Sequence, residues 1–222
     1  MDVRARVFGE AYRGLSVEET FARIYSEGSW GVGSGSGSCP EHARPWVAFL
    51  REFLQKERVR SVVDLGCGDW QFSPLVYGDQ PSVEYTGYDC VASVIAGNIE
   101  RHPGYRFEHL EFSECAAKLR DAEVYILKDV LQHWRSERIG AFLGQLLEAK
   151  AGRGLRFVLL CNDCPPPGSG YRGADVGDGG WRPLGARLPP LAAFGAQVLL
   201  HYEVPGAVKE VCALSAPGAA PG

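Results

Sequence analysis

The chain predicts an α/β fold built on a mostly parallel sheet, and three stretches carry that prediction. Ser61-Val62-Val63-Asp64-Leu65 is apolar with little alternation and runs straight into a glycine turn, Gly66-Cys67-Gly68. Such runs suit parallel strands covered on both faces. Val83 to Asp89 is a second strand-like run that also ends in an acid. Near the end of the chain, Gln197 to Val204 and Val208 to Leu214 read as two strands split by Pro205-Gly206, a hairpin signal.

The 222 residues are enough for one domain with a sizeable core. The formal net charge of -4 argues against a broad basic face for nucleic acid. No run reaches the roughly 18 apolar residues of a membrane span, and no basic-then-apolar start suggests a signal peptide. The seven cysteines are odd in number and lack metal-type pairing. Cys161 and Cys164 form a C-x-x-C, but Pro165 follows at once, where a redox pair would have its second thiol in a helical first turn. The thiols therefore read as structural, in a reducing, cytoplasmic setting. The expected partner is a small molecule, with neither nucleic acid nor membrane; oligomeric state is not legible.

Taken in order, residues 1–58 form an N-terminal segment of helices and a Gly/Ser run. Ser16-Val17-Glu18-Glu19 is a helix start, followed by Phe21, Ile24 and Tyr25 at helical spacing. Trp30-Gly31-Val32-Gly33-Ser34-Gly35-Ser36-Gly37-Ser38 is either a flexible linker or a loop that closes over a ligand with Trp30 as an apolar lid. Pro45 to Glu57 is a helix whose Trp46, Phe49, Leu50, Phe53 and Leu54 form one core stripe. The main domain spans 59–214. Trp70-Gln71-Phe72 opens a short helix, Val91 to Glu100 a longer one. Tyr105 to Phe112 is the third strand, Glu123 to Lys128 the fourth, Ile139 to Ala149 a helix and Arg156 to Asp163 the fifth strand. Residues 164–190 are a Pro/Gly-rich loop, long enough to be a substrate loop. Residues 215–222 read as a flexible tail.

The glycine turn narrows the ligand. A phosphate loop would need Gly-Lys-Ser/Thr, and a dinucleotide site a third glycine; both are absent. Acidic-x-Gly-x-Gly remains, compatible with a nucleoside site or with a structural turn. Asp89 can accept bonds from both ribose hydroxyls or cap the next helix. Glu111 can reach an adenine amino group or stay solvated. Lys128, Asp129, His133 and Trp134 gather an acid, an imidazole and an indole beside the same strand ends. Trp181 and Arg182, beside Pro183, suggest a substrate wall or a loop anchor.

The segments Asp64-Leu65-Gly66-Cys67-Gly68-Asp69-Trp70, Tyr88-Asp89 and Lys128-Asp129-Val130-Leu131-Gln132-His133-Trp134 resemble class I S-adenosylmethionine-dependent methyltransferases. With the Trp30 to Ser38 run and Trp181-Arg182-Pro183-Leu184, they look like a small bacterial-type group of that family. The resemblance implies a Rossmann-like fold: a seven-stranded, mostly parallel sheet with an antiparallel C-terminal hairpin and helices on both faces. It implies S-adenosyl-L-methionine as cofactor. Asp64, Gly66, Cys67 and Gly68 would hold its methionine end and Asp89 its ribose. Cys90, Glu111 and Phe112 would border the adenine, and Lys128 would give a backbone contact near the sulfonium. Trp30 and Trp70 would enclose the whole.

The activity so implied is methyl transfer to a small-molecule or sugar hydroxyl. His133 would be the base, with Asp129 orienting it or taking the proton. Trp134, Asp163, Trp181 and Arg182 would face the acceptor. The alternatives are a protein or peptide N-methyltransferase and a non-catalytic module on the same fold. No metal is expected. Asp129, Asn162 and Asp163 are hard oxygen ligands, but their Asn-Asp order differs from the Asp-Asn of magnesium-dependent methyltransferases.

Overall fold

The structure, a computed structural model, describes residues 12–166 and 168–215. The expected tail lies, beyond Ser215, outside the described residues.

Seven strands form one sheet: β1 Ser61–Leu65, β2 Glu84–Asp89, β3 Arg106–His109, β4 Val124–Lys128, β5 Phe157–Cys164, β6 Gln197–Val204 and β7 Ala207–Ser215. Their order is β3-β2-β1-β4-β5-β7-β6. Strands β1 to β5 pair in parallel, while β7 runs antiparallel to β5 and pairs with β6 as a hairpin. The expected sheet is therefore the one observed. Strand order reverses between β1 and β4, the switch point outside which open α/β sheets hold ligands.

Among the described residues five α-helices flank the sheet: α1 Val17–Glu27, α2 Pro40–Lys56, α3 Pro74–Tyr77, α4 Ala92–Arg101 and α5 Ser136–Lys150. Strand side chains alternate between two cores. Val62, Ile126, Leu159 and Val211 pack with Trp46, Leu50 and Leu54 of α2. Val63, Leu127, Leu160 and Leu214 pack with Phe21 and Ile24 of α1 and with Ile139, Phe142 and Leu146 of α5.

Local chemistry sets the helix ends. Ser16 and Glu19 cap α1 reciprocally, and Gly28 closes it in the left-handed region. Helix α2 begins at Pro40, not at the expected Pro45. Proline is at home in a first turn, and Pro40 occupies it, leaving Pro45 to be tolerated further in. The short helix starts at Pro74 rather than Trp70, because Trp70 has φ 60° and prolongs the turn. Strand β3 ends at His109, short of the expected Phe112. Glu111 lies in the following turn, where its carboxylate accepts the Ser113 N–H at 2.9 Å. All seven cysteines are free. Cys161 and Cys164 both lie in β5, where a three-residue spacing sends their side chains to opposite faces.

Candidate functional site

The glycine turn follows β1 directly. Gly66 and Gly68 have φ 75° and 57°, which a β-carbon resists. A Cβ on Gly66 would also lie 2.5 Å from Val130, and one on Gly68 would meet the Ser34 side chain. The Gly66 and Cys67 N–H groups donate to the Tyr88 carbonyl at 2.8 and 3.0 Å. Asn98, buried in α4, donates to the Gly68 carbonyl at 2.7 Å.

Two carboxylates flank this turn. Asp89 accepts the Gly68 N–H on one oxygen and the Val91 N–H on the other, both at 3.0 Å. Asp64 accepts the Tyr85 hydroxyl at 2.9 Å. Each oxygen can still accept another bond. Burial raises both carboxyls to about 6, against the lowering effect of these donors and, for Asp64, of the Lys128 charge.

Both face one concave cleft, the kind of site in which small molecules bind. Gly66, Cys67 and Gly68 line it near Asp64, and Cys90, Glu111 and Phe112 near Asp89. Lys128, Asp129, His133 and Trp134 line the β4 side. Trp30 covers it, its ring centroid 5.0 Å from that of His133 and 5.6 Å from that of Tyr25.

Trp70 does not enclose the cleft. Its left-handed backbone sends the indole into the α2-side core, with centroids 4.5 Å from Tyr105 and 5.3 Å from Phe107. The Gly/Ser run is bonded into place. Ser34 Oγ donates to Asp69 at 2.6 Å, accepts the Asp69 N–H at 2.8 Å and lies 2.7 Å from the Tyr25 hydroxyl. The Gly37 carbonyl accepts Lys128 Nζ at 2.8 Å.

An ion chain crosses the ends of β4, β7 and β5. Lys128 and Lys209 each reach the Asp129 carboxylate, at 2.6 and 2.5 Å, and Lys209 lies 2.6 Å from Asp163. Burial alone would raise the Asp129 carboxyl, but the two ammoniums hold it well below the usual range. Burial alone would lower Lys209, but Asp129 and Asp163 push it above its ordinary value. Asp129 is thus committed to lysines, and a carboxylate so firmly ionised makes a poor proton acceptor. It also does not orient the imidazole. His133 Nδ1 lies 2.7 Å from the Gly180 carbonyl, which only accepts. The proton therefore sits on Nδ1 and the lone pair on Nε2. Burial lowers the His133 pKa, so the ring is neutral near pH 7.

The remaining acceptor-side residues divide. Trp134 walls the cleft while packing edge-on against Phe142. The Trp181 indole N–H donates to Asp163 at 2.8 Å. Arg182 is a loop anchor: buried, it donates to the Trp134 carbonyl at 3.0 Å and pairs with Asp175 at 2.5 Å. Between Asp129 and Asp163, where a magnesium ion would sit, the structure places the Lys209 ammonium. Asn162 turns to the opposite face of β5 from Asp163.

Sequence reasoning missed Lys209, Asn98, Gln132 and the Gly180 carbonyl. Lys209 carried one signal, a lysine inside the apolar run Val208 to Leu214. Gln132 fixes the loop by accepting the Asp163 N–H at 2.7 Å.

Comparisons with known proteins bear on this geometry. Magnesium protoporphyrin IX methyltransferase from Synechocystis PCC 6803, with bound S-adenosylmethionine, superposes with a TM-score of 0.61 at 16% identity, over 91% of this chain and 99% of that one. The fold is that of the class I methyltransferases. Human N-acetylserotonin methyltransferase, also in complex with S-adenosylmethionine, shares the class I fold with a TM-score of 0.56 at 16% identity, over 95% of this chain and 62% of that one. In sequence, a trans-aconitate 2-methyltransferase of Acidovorax sp. (strain JS42) is 24% identical over 164 residues, 74% of this chain. The chain spans 62% of that relative's length. No family model matches the sequence. Among the described residues, no helix is long and apolar enough to cross a membrane.

Proposed function

We propose that this chain is an S-adenosylmethionine-dependent methyltransferase acting on a hydroxyl of a small-molecule or saccharide acceptor. The observation that carries this is the placement of Asp64 and Asp89. They stand at the ends of adjacent strands, facing one cleft at the switch point of a class I methyltransferase sheet.

The residues fit the cofactor. Two buried carboxylates with raised pKa values lack enough donors, and an amino group and ribose hydroxyls would supply them. On this reading Asp64, Gly66, Cys67 and Gly68 would hold the methionine end, Asp89 the ribose, and Cys90, Glu111 and Phe112 the base. When bound, the sulfonium supplies an electrophilic methyl group and a neutral leaving group. The chain's own task is then alignment, dryness and proton removal. Trp30 and Trp134 exclude water. His133 Nε2 would take the proton of the acceptor hydroxyl, freeing its oxygen to receive the methyl group that the cofactor supplies.

The test is incubation with methyl-labelled S-adenosylmethionine and a whole-cell extract, afterwards separated into low-molecular-weight and protein fractions. Label in a base-stable small molecule is expected. Label only in protein would favour the peptide N-methyltransferase alternative, and no transfer a non-catalytic module. The 24% identity to the Acidovorax protein favours a second reading, transfer to a carboxylate. That product is a base-labile ester, and trans-aconitate is the probe for it.

A further inference from the structure

Trp30, Asp129 and His133 also wall a second recess, whose far side carries Asp163, Trp181 and Lys209. It adjoins the cofactor cleft through Trp30, Ser34, Asp129 and His133, which line both, and that is where an acceptor must sit. Its charged groups show unequal faces. The Lys209 side chain is 5% exposed, against 18% for Asp129 and 12% for Asp163. The ammonium is sunk behind two carboxylates whose edges reach the recess.

Those edges are acceptors with capacity to spare. Each Asp129 oxygen takes one lysine and keeps a second lone pair. Asp163 takes the Trp181 indole on Oδ2, which keeps a second lone pair, while Oδ1 is buried beside the Lys209 ammonium. His133 adds the lone pair of Nε2; the Gln132 amide approaches it at a long 3.5 Å, and a closer donor would displace that contact. A molecule that satisfies this wall must bring hydrogen-bond donors. Lys209 in this wall and Lys128, which pairs with Asp129 from the cofactor-cleft side, offset Asp129 and Asp163, so the wall offers little net attraction for an ion.

We propose that the recess takes an uncharged polyhydroxyl ring, saccharide-like in chemistry. Neighbouring hydroxyls donate to Asp129 and Asp163, and a third faces His133 Nε2. The ring's apolar face lies against an indole, Trp30 or Trp181, a side chain with an apolar body and a polar tip. A polycarboxylate would press its charges against two carboxylates with the compensating ammonium behind them. This inference rests on the methyl-transfer reading and narrows its acceptor.

The test follows release of S-adenosylhomocysteine by the full chain supplied with S-adenosylmethionine. The probes are a panel of methyl glycosides of common hexoses, 6-deoxyhexoses and pentoses, beside trans-aconitate and a lysine-containing peptide. At least one glycoside is turned over saturably, and trans-aconitate stays at background. Asp163→Asn raises KM for that glycoside about tenfold, more than it lowers kcat, as loss of a charged hydrogen bond used in binding should. Trp181→Phe, which keeps the ring and removes the donor to Asp163, gives a second readout with the same direction should the asparagine variant fail to fold. Preference for trans-aconitate or the peptide overturns the inference. So does turnover of no glycoside by a chain that binds S-adenosylhomocysteine in calorimetry. Failure to bind that nucleoside overturns the methyl-donor reading itself.

Discussion

At the residue scale, His133 is the group whose geometry makes the sharpest statement. Its Nδ1 proton is fixed by the Gly180 carbonyl, its Nε2 lone pair meets the Gln132 amide nitrogen at a long 3.5 Å, and burial favours the neutral ring. Replacing it by alanine should cut turnover by about 10²–10⁴-fold while affinity for S-adenosylhomocysteine stays near wild type. Equal loss of both would make the residue structural. Lys209 makes a different prediction. Removing its ammonium leaves Asp129 with one cation and Asp163 with none, so Lys209→Met should destabilise the fold by about 3–5 kcal/mol in denaturant unfolding. A neutral effect would show the ion chain to be dispensable. Asp64, Asp89 and His133 were legible because a strand end followed by a turn fixes where such residues stand. Lys209 was not, because its role depends on pairing opposite Asp163 across an antiparallel register. Trp70 and Arg182 were misread because composition does not reveal which way a side chain points. A left-handed φ turned one inward, and a carbonyl and Asp175 captured the other.

The same two carboxylates set a pH dependence. Both fold with pKa values of about 6, above the ordinary 3.8. Between those values the folded chain holds more protons than the unfolded one, so its stability falls as pH rises through that window. A ligand that donates hydrogen bonds to the ionised forms reverses the balance. Affinity for S-adenosylhomocysteine should therefore rise from pH 5 to pH 7, about tenfold for each carboxylate that must ionise, as read by calorimetry. A flat profile would show that neither carboxylate receives donors from the ligand.

At the element scale, the Gly/Ser run is the segment whose sequence misleads most. Its composition suits a tether, yet three bonds at the Ser34 hydroxyl and one at its N–H fasten it to Asp69 and Tyr25. Nothing local announces those partners, which come from another loop and from α1. Ser34→Ala should speed amide exchange across residues 33–38 and weaken cofactor binding; unchanged exchange would show that the loop is held by other contacts. The strands were the most legible elements, since buried β-branched runs have few other homes. Boundaries moved where proline or a side-chain cap decided them, as at Pro40 and Glu111.

At the scale of the molecule, function follows from topology. The reversal of strand order between β1 and β4 opens the crevice, and parallel strands deliver Asp64, Asp89 and the loop after Lys128 to the same edge. The antiparallel β7 then brings Lys209 against two of the resulting acids. The parallel half of this plan was readable from motif and spacing; the contribution of β7 was not, because it is made across the sheet. One measurement tests the plan most directly: calorimetric titration of S-adenosylhomocysteine into the wild-type chain and into Asp89→Asn. Saturable one-to-one binding, weakened about tenfold or more in the variant, is expected from the loss of a charged acceptor at the ribose. Absence of binding, or equal affinity in the two proteins, would contradict a nucleoside held between the strand-end carboxylates.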